Sequence, residues 1–85
     1  MTFLYFECII AQNWNMSQAY RKILSKNLSI YRKRKGLTKE ALSLALGFDN
    51  SYISKVENCR VNITIDRMTM IANYLEVKIV DLFND

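Results

Sequence analysis

The stretch KEALSLALGFDNSYISKVEN, residues 39–58, constrains this chain more than any other, because it has the pattern of two short helices locked around a glycine turn. Its first half sets Leu42, Ala45 and Leu46 on one helical face, with small Ser43 beside them. Gly47 follows at once, and glycine ends a helix in the left-handed conformation without steric cost. After Phe48 come Asp49, Asn50 and Ser51, all good helix N-caps, with Asp49 the preferred one. Ile53 and Val56 then make a second apolar stripe. Two helices joined by a short turn containing Gly pack at a steep angle, and the small side chain of Ser43 permits their close approach.

The flanking sequence supplies the rest of an all-α fold. From 17 to 35 the apolar positions Tyr20, Ile23, Leu24, Leu28 and Tyr31 recur at helical spacing, and Gly36 ends the run. Thr38 can cap the helix that holds Ala41 to Leu46, and a third helix is expected over 50–58. Residues 60–63 lack periodicity and are expected to be a loop. Thr64 can then cap a fourth helix whose stripe is Ile65, Met68, Ile71, Ala72 and Leu75. A fifth, short helix is expected over 78–83, and the absence of proline agrees with a wholly helical chain.

Charge is distributed unevenly along this frame. The net charge is +4, yet Arg21, Lys22, Lys26, Arg32, Lys33, Arg34, Lys35 and Lys39 all precede Glu40, with no acid between Ser17 and Lys39. From Glu40 onward acids outnumber bases seven to four. The positive field therefore belongs to the first helix and the entry to the second, where it would meet a phosphate backbone. Other chemistry is poorly served. There is no histidine, Cys8 and Cys59 lack metal-site spacing, and two glycines cannot make a phosphate-cradling loop. The chain is therefore not expected to be an enzyme or to need a cofactor or metal, and both cysteines are expected to be packing residues.

With small Ser43, Gly47, Ile53 and Val56 at the fifth, ninth, fifteenth and eighteenth places of the window, the segment resembles the helix-turn-helix of the phage repressor and Cro family, also called the xenobiotic-response-element type. The similarity runs from about Leu24 to Phe83, through YISKVEN and IANYLEVKIVDLF. Ser43 stands where Ala is usual, and Lys39 where Gln often stands. The resemblance implies a five-helix repressor-like domain and a sequence-specific DNA-binding regulator with double-stranded DNA as partner. By family placement Asn50, Ser51, Ser54 and Lys55 face base edges, and Tyr52 faces the phosphate backbone. The resemblance also implies a partly buried ion pair between Arg32 and Glu57. Arg32, Lys33, Arg34, Lys35 and Lys39 are candidates for phosphate positioning, which gives affinity without sequence information.

Eighty-five residues, 51% of them apolar, suffice for one modest core that a partner would help to stabilise. A homodimer on a two-fold operator is expected. Its interface is expected around Leu75, Val77, Ile79, Val80, Leu82 and Phe83, and no small-molecule effector is expected. Chain size, YISKVEN and the ending through Leu82-Phe83 also look like the controller proteins of restriction-modification systems, which regulate their own operon. An antitoxin or antirepressor-type interaction module using the same fold is the alternative.

Residues 1–15, MTFLYFECIIAQNWN, stand apart from the domain at 16–85 as an apolar extension. With no positive leader, Glu7 inside and too short an apolar run, they match neither a signal peptide nor a membrane span, so a cytoplasmic location is expected. Either Met16 is the true start, or Phe3, Leu4, Phe6, Ile9 and Ile10 pack on the domain or on a second subunit.

Overall fold

A computed structural model describes the backbone of residues 2–84 and the side chains of residues 18–84. Over that span there are four α-helices, one 3-10 helix and no strand. Helix α1 (Thr2–Arg34) begins well upstream of residue 17, since no glycine or proline interrupts the chain before Gly36. The expected packing of Phe3, Leu4, Phe6, Ile9 and Ile10 and of Cys8 lies outside the described side chains. Helices α2 (Lys39–Ala45), α3 (Tyr52–Glu57) and α4 (Ile65–Leu75) follow. The fifth element is a 3-10 helix (Ile79–Phe83), a tighter turn suited to so short a piece.

Local chemistry accounts for most boundaries. The Thr38 hydroxyl accepts from the Ala41 N–H at 2.9 Å, and the Thr64 hydroxyl accepts from Arg67 at 3.1 Å, so α2 and α4 start at the expected caps. Every α-helix ends on a residue with positive φ: Gly36 at 73°, Gly47 at 77°, Cys59 at 60° and Glu76 at 62°. At the first of these ends the Leu37 N–H donates to Arg32 O and the Gly36 N–H to Lys33 O, a Schellman motif that satisfies carbonyls the helix itself leaves unpaired. Phe48 and Gly47 donate to Ser43 O and Leu44 O in the same way. Helix α3 begins two residues later than the sequence pattern suggests. Its N-cap is Ser51, which makes no side-chain cap bond, while the expected cap Asp49 uses only its carbonyl, accepting from Tyr52 N–H at 3.0 Å.

The core draws on every element. Leu24 and Leu28 of α1, Leu42 of α2, Tyr52, Ile53 and Val56 of α3, Ile71, Ala72 and Leu75 of α4, and Leu82 are buried together. Burying each large aliphatic side chain contributes roughly 1.5–3 kcal/mol. The helical stripes overreach at their margins, however. Tyr20 is 50% exposed although its ring meets Phe83 edge-on at 6.3 Å, Ile65 is 65% exposed and Ala45 lies on the surface, each at the edge of its stripe. Polar cross-links fasten the outer elements. The Asn27 side chain donates to Leu82 O at 2.9 Å and Asn84 O at 2.7 Å, pinning the C-terminal turn to α1. Arg21 donates to Asn62 Oδ1, tying the loop before α4 to the same helix.

Candidate nucleic-acid interface

The second helix of the helix-turn-helix is held from beneath by one buried ion pair. Arg32 Nε donates to Glu57 Oε2 at 2.7 Å and Nη2 donates to Oε1 at 3.2 Å, a two-pronged arrangement in which both side chains are more than nine-tenths buried. The remaining Nη1 donates to Leu37 O at 2.7 Å. Arginine suits this place because its planar fork matches a carboxylate and still has a donor to spare. The consequence is a strut between the end of α1 and the end of α3. A phosphate role for Arg32 does not fit, since its guanidinium is buried and already engaged.

The expected base-facing residues fall on one short arc. Asn50 and Ser51 lie in the turn that enters α3, and Ser54 and Lys55 lie one turn on. Asn50 and Lys55 are exposed, while Ser51 and Ser54 are half-buried. Among the described residues Lys55 makes no ion pair. Asn58, exposed at the end of the helix, leans toward Ser54 Oγ at 3.4 Å, a distance too long to hold either group firmly. Tyr52 does not stand with this group as a phosphate ligand. Its ring is buried, 4.8 Å from the Phe48 centroid in an edge-on arrangement, because the first position of α3 points into the core.

The cations sort by position. Arg32, Lys33 and Arg34 occupy the last turn of α1, where the negative end of the helix dipole favours them by roughly 0.3–1 kcal/mol each when exposed. Lys33 and Lys39 are exposed. Arg34 rests 5.4 Å from the Tyr31 ring centroid, and Lys35 Nζ lies 3.1 Å from Glu76 Oε1 at the surface, so Lys35 carries less free charge than its neighbours. Arg67 joins these cations from outside the sequence pattern. From the first turn of α4 its guanidinium carbon stands 4.7 Å from the Tyr52 ring centroid and 4.9 Å from that of Phe48, which sets an exposed cation over the start of α3. No local signal marks it, because the contact joins residues that helical periodicity cannot relate.

A small helical domain whose second short helix is braced from behind and carries amide, hydroxyl and ammonium groups outward, beside a cationic helix end, has the build of a DNA-binding transcriptional regulator. The chain belongs to the Cro/C1-type helix-turn-helix family, whose model matches residues 28–82. It is 36% identical over 62 residues to the uncharacterized helix-turn-helix-type transcriptional regulator y4dJ of Sinorhizobium fredii, covering 73% of this chain and 80% of that protein. Its structure is similar to the hypothetical transcription factor NHTF from Neisseria, with a TM-score of 0.75 and 33% identity, covering 79% of this chain and 77% of that one. It is also similar to the restriction-modification controller protein C.AhdI from Aeromonas hydrophila, with a TM-score of 0.70 and 29% identity, covering 76% and 98% of the two chains. Among the described residues no helix is long and apolar enough to cross a membrane.

Proposed function

We propose that this regulator acts in the cytoplasm as a homodimer on a two-fold operator and controls its own transcription. Asn50, Ser51, Ser54 and Lys55 read base edges, and Lys33, Arg34, Lys35 and Lys39 hold phosphates, with Arg67 adding a contact at the other end of α3. The observation that carries this reading is the Arg32–Glu57 strut, which lays the cationic end of α1 beside the reading helix. Asn can pair bidentately with adenine and Lys can donate to guanine O6 and N7, each such contact being worth ~1–3 kcal/mol of discrimination. Similarity to C.AhdI supports a controller-type circuit, in which dimerisation and protein concentration set the response.

The surface we propose for the dimer leaves out two of the residues expected from the sequence. Leu75 and Leu82 are 4% and 0% exposed and belong to the core, so they cannot meet a partner. Val77, Ile79 and Phe83 are half-buried, and Val80 is 62% exposed, with Tyr74 of α4 also at the surface. These residues are the proposed interface.

Selection from a randomised duplex library, followed by footprinting on the DNA upstream of the chain's own gene, tests the reading. A two-fold site with half-sites about one helical turn apart is the expected product. Lys33→Ala and Lys39→Ala are each expected to weaken binding across all sequences and to reduce the salt slope by about one unit. Recovery of no preferred sequence would overturn base reading, and an unchanged slope would remove that lysine from the phosphate set.

A further inference from the structure

We infer that Ser43 is a specificity-determining positioning residue, whose hydroxyl fixes the entry of the reading helix, with Ser25 gripping the helix at its far end. The inference rests on the base-reading role proposed above.

Helix α3 has only six residues, and a helix so short does not hold its shape alone in water. Its own cap, Ser51, makes no side-chain bond to it. The N–H groups of its first turn therefore need partners from elsewhere, and that of Ile53, whose side chain is fully buried, finds one across the turn. Ser43 Oγ accepts from Ile53 N–H at 3.0 Å and donates its proton to Lys39 O at 2.9 Å. Both roles of the hydroxyl are thus assigned, one to each helix of the motif. Ser43 is 0% exposed, so water cannot take its place. Alanine would satisfy the demand for a small residue equally well, and size alone leaves the hydroxyl unexplained.

The opposite end is held in a similar way. Ser25 Oγ lies 2.9 Å from Val56 O and 2.7 Å from Arg21 O, so its single proton is shared between a carbonyl of α3 and one of its own helix. Cys59 Sγ is 3.2 Å from the same oxygen and can donate to it once that proton is committed. Ser54 and Lys55 lie between the two grips, and Asn50 and Ser51 lie just before the first. A shift at Ile53 N–H therefore moves all four base-facing groups relative to the cations of α1, which have no bond to Ser43.

The discriminating variant is Ser43→Ala, measured at a temperature where variant and wild type are both folded. The probes are the duplex enriched by wild type from a randomised library and a scrambled duplex of equal length. The ratio of the two affinities is expected to fall about tenfold, the effect of leaving one buried donor unpaired. Binding to the scrambled duplex and its salt slope should stay unchanged, and amide exchange at Ile53 should quicken. Ser25→Ala should act in the same direction. Should Ser43→Ala fail to fold, Ser43→Cys, whose thiol is bulkier and a much weaker acceptor, is measured in its place and read alike. An unchanged affinity ratio with faster Ile53 exchange would reduce the hydroxyl to a stability role and overturn the inference. A wild-type chain that enriches no sequence would instead overturn base reading, and this inference with it.

Discussion

Gly47 joins the two helices of the motif at φ 77°, and a Cβ built there would meet no atom within 4 Å. Any penalty for a side chain at this position is therefore conformational, not steric crowding. Gly47→Ala is expected to destabilise the domain by about 1 kcal/mol, visible in urea unfolding as a lower midpoint with an unchanged slope. Glu76 occupies the same backbone region at φ 62° without being glycine, and its ion pair with Lys35 is solvent-exposed and worth little. Glu76→Gly should accordingly gain roughly 0.5–1 kcal/mol, the reverse sign for the same physical reason. A loss of stability in Glu76→Gly would show that the Lys35 pair matters more than the backbone. These two positions also show what a sequence declares. Glycine announces a left-handed turn, as at Gly36 and Gly47, whereas Cys59 and Glu76 adopt it under tertiary control and carry no such mark. Ser43 is a similar case, since its size could be read from the chain but the partner of its hydroxyl lies ten residues away.

Among the elements, α3 depends least on itself and most on its neighbours. Removing the Glu57 carboxylate would leave the buried Arg32 guanidinium with the Leu37 carbonyl as its remaining acceptor, and breaking such a pair costs roughly 3–5 kcal/mol. Glu57→Ala is therefore expected to lower thermal stability and DNA affinity together. Affinity lost at unchanged stability would place Glu57 in direct DNA contact and argue against the strut. The same dependence explains which elements were legible. Helices α2 and α4, and α1 from residue 17 onward, are announced by periodicity together with Thr38, Thr64, Gly36 and Gly47, because caps and stripes are local features. The start of α3 is not legible because Asp49, Asn50 and Ser51 are all competent caps and the actual anchor is a hydroxyl on another helix. The ion pair became visible only through family resemblance, and Arg67 not at all, since neither contact has a sequence period.

At the scale of the whole molecule, the question is what the C-terminal turn does beyond closing the core. Asn27 holds its backbone at two carbonyls, and the Lys78 N–H donates to Asp81 Oδ2 at 3.0 Å, so the turn is fixed in place with Val80 facing outward. Rigid presentation of an aliphatic side chain lowers the ordering cost of association, which favours this surface for a second copy. The sequence marked the whole apolar segment but could not divide it, since hydropathy does not distinguish a side chain facing α1 from one facing solvent. That division decides the experiment. Leu82→Ala would cost roughly 2–5 kcal/mol through a core cavity, and any loss of dimer would then be uninterpretable. Val80→Glu changes a surface side chain and should leave the thermal midpoint of the isolated domain nearly unaltered. It places a carboxylate against its two-fold mate in the proposed interface, where unpaired like charges oppose association. Sedimentation at micromolar concentration is expected to show dimer for wild type and monomer for the variant, with weaker operator binding in step. Wild type that sediments as a strict monomer both free and on DNA would rule the dimer out, and a variant that stays dimeric would move the interface to another face.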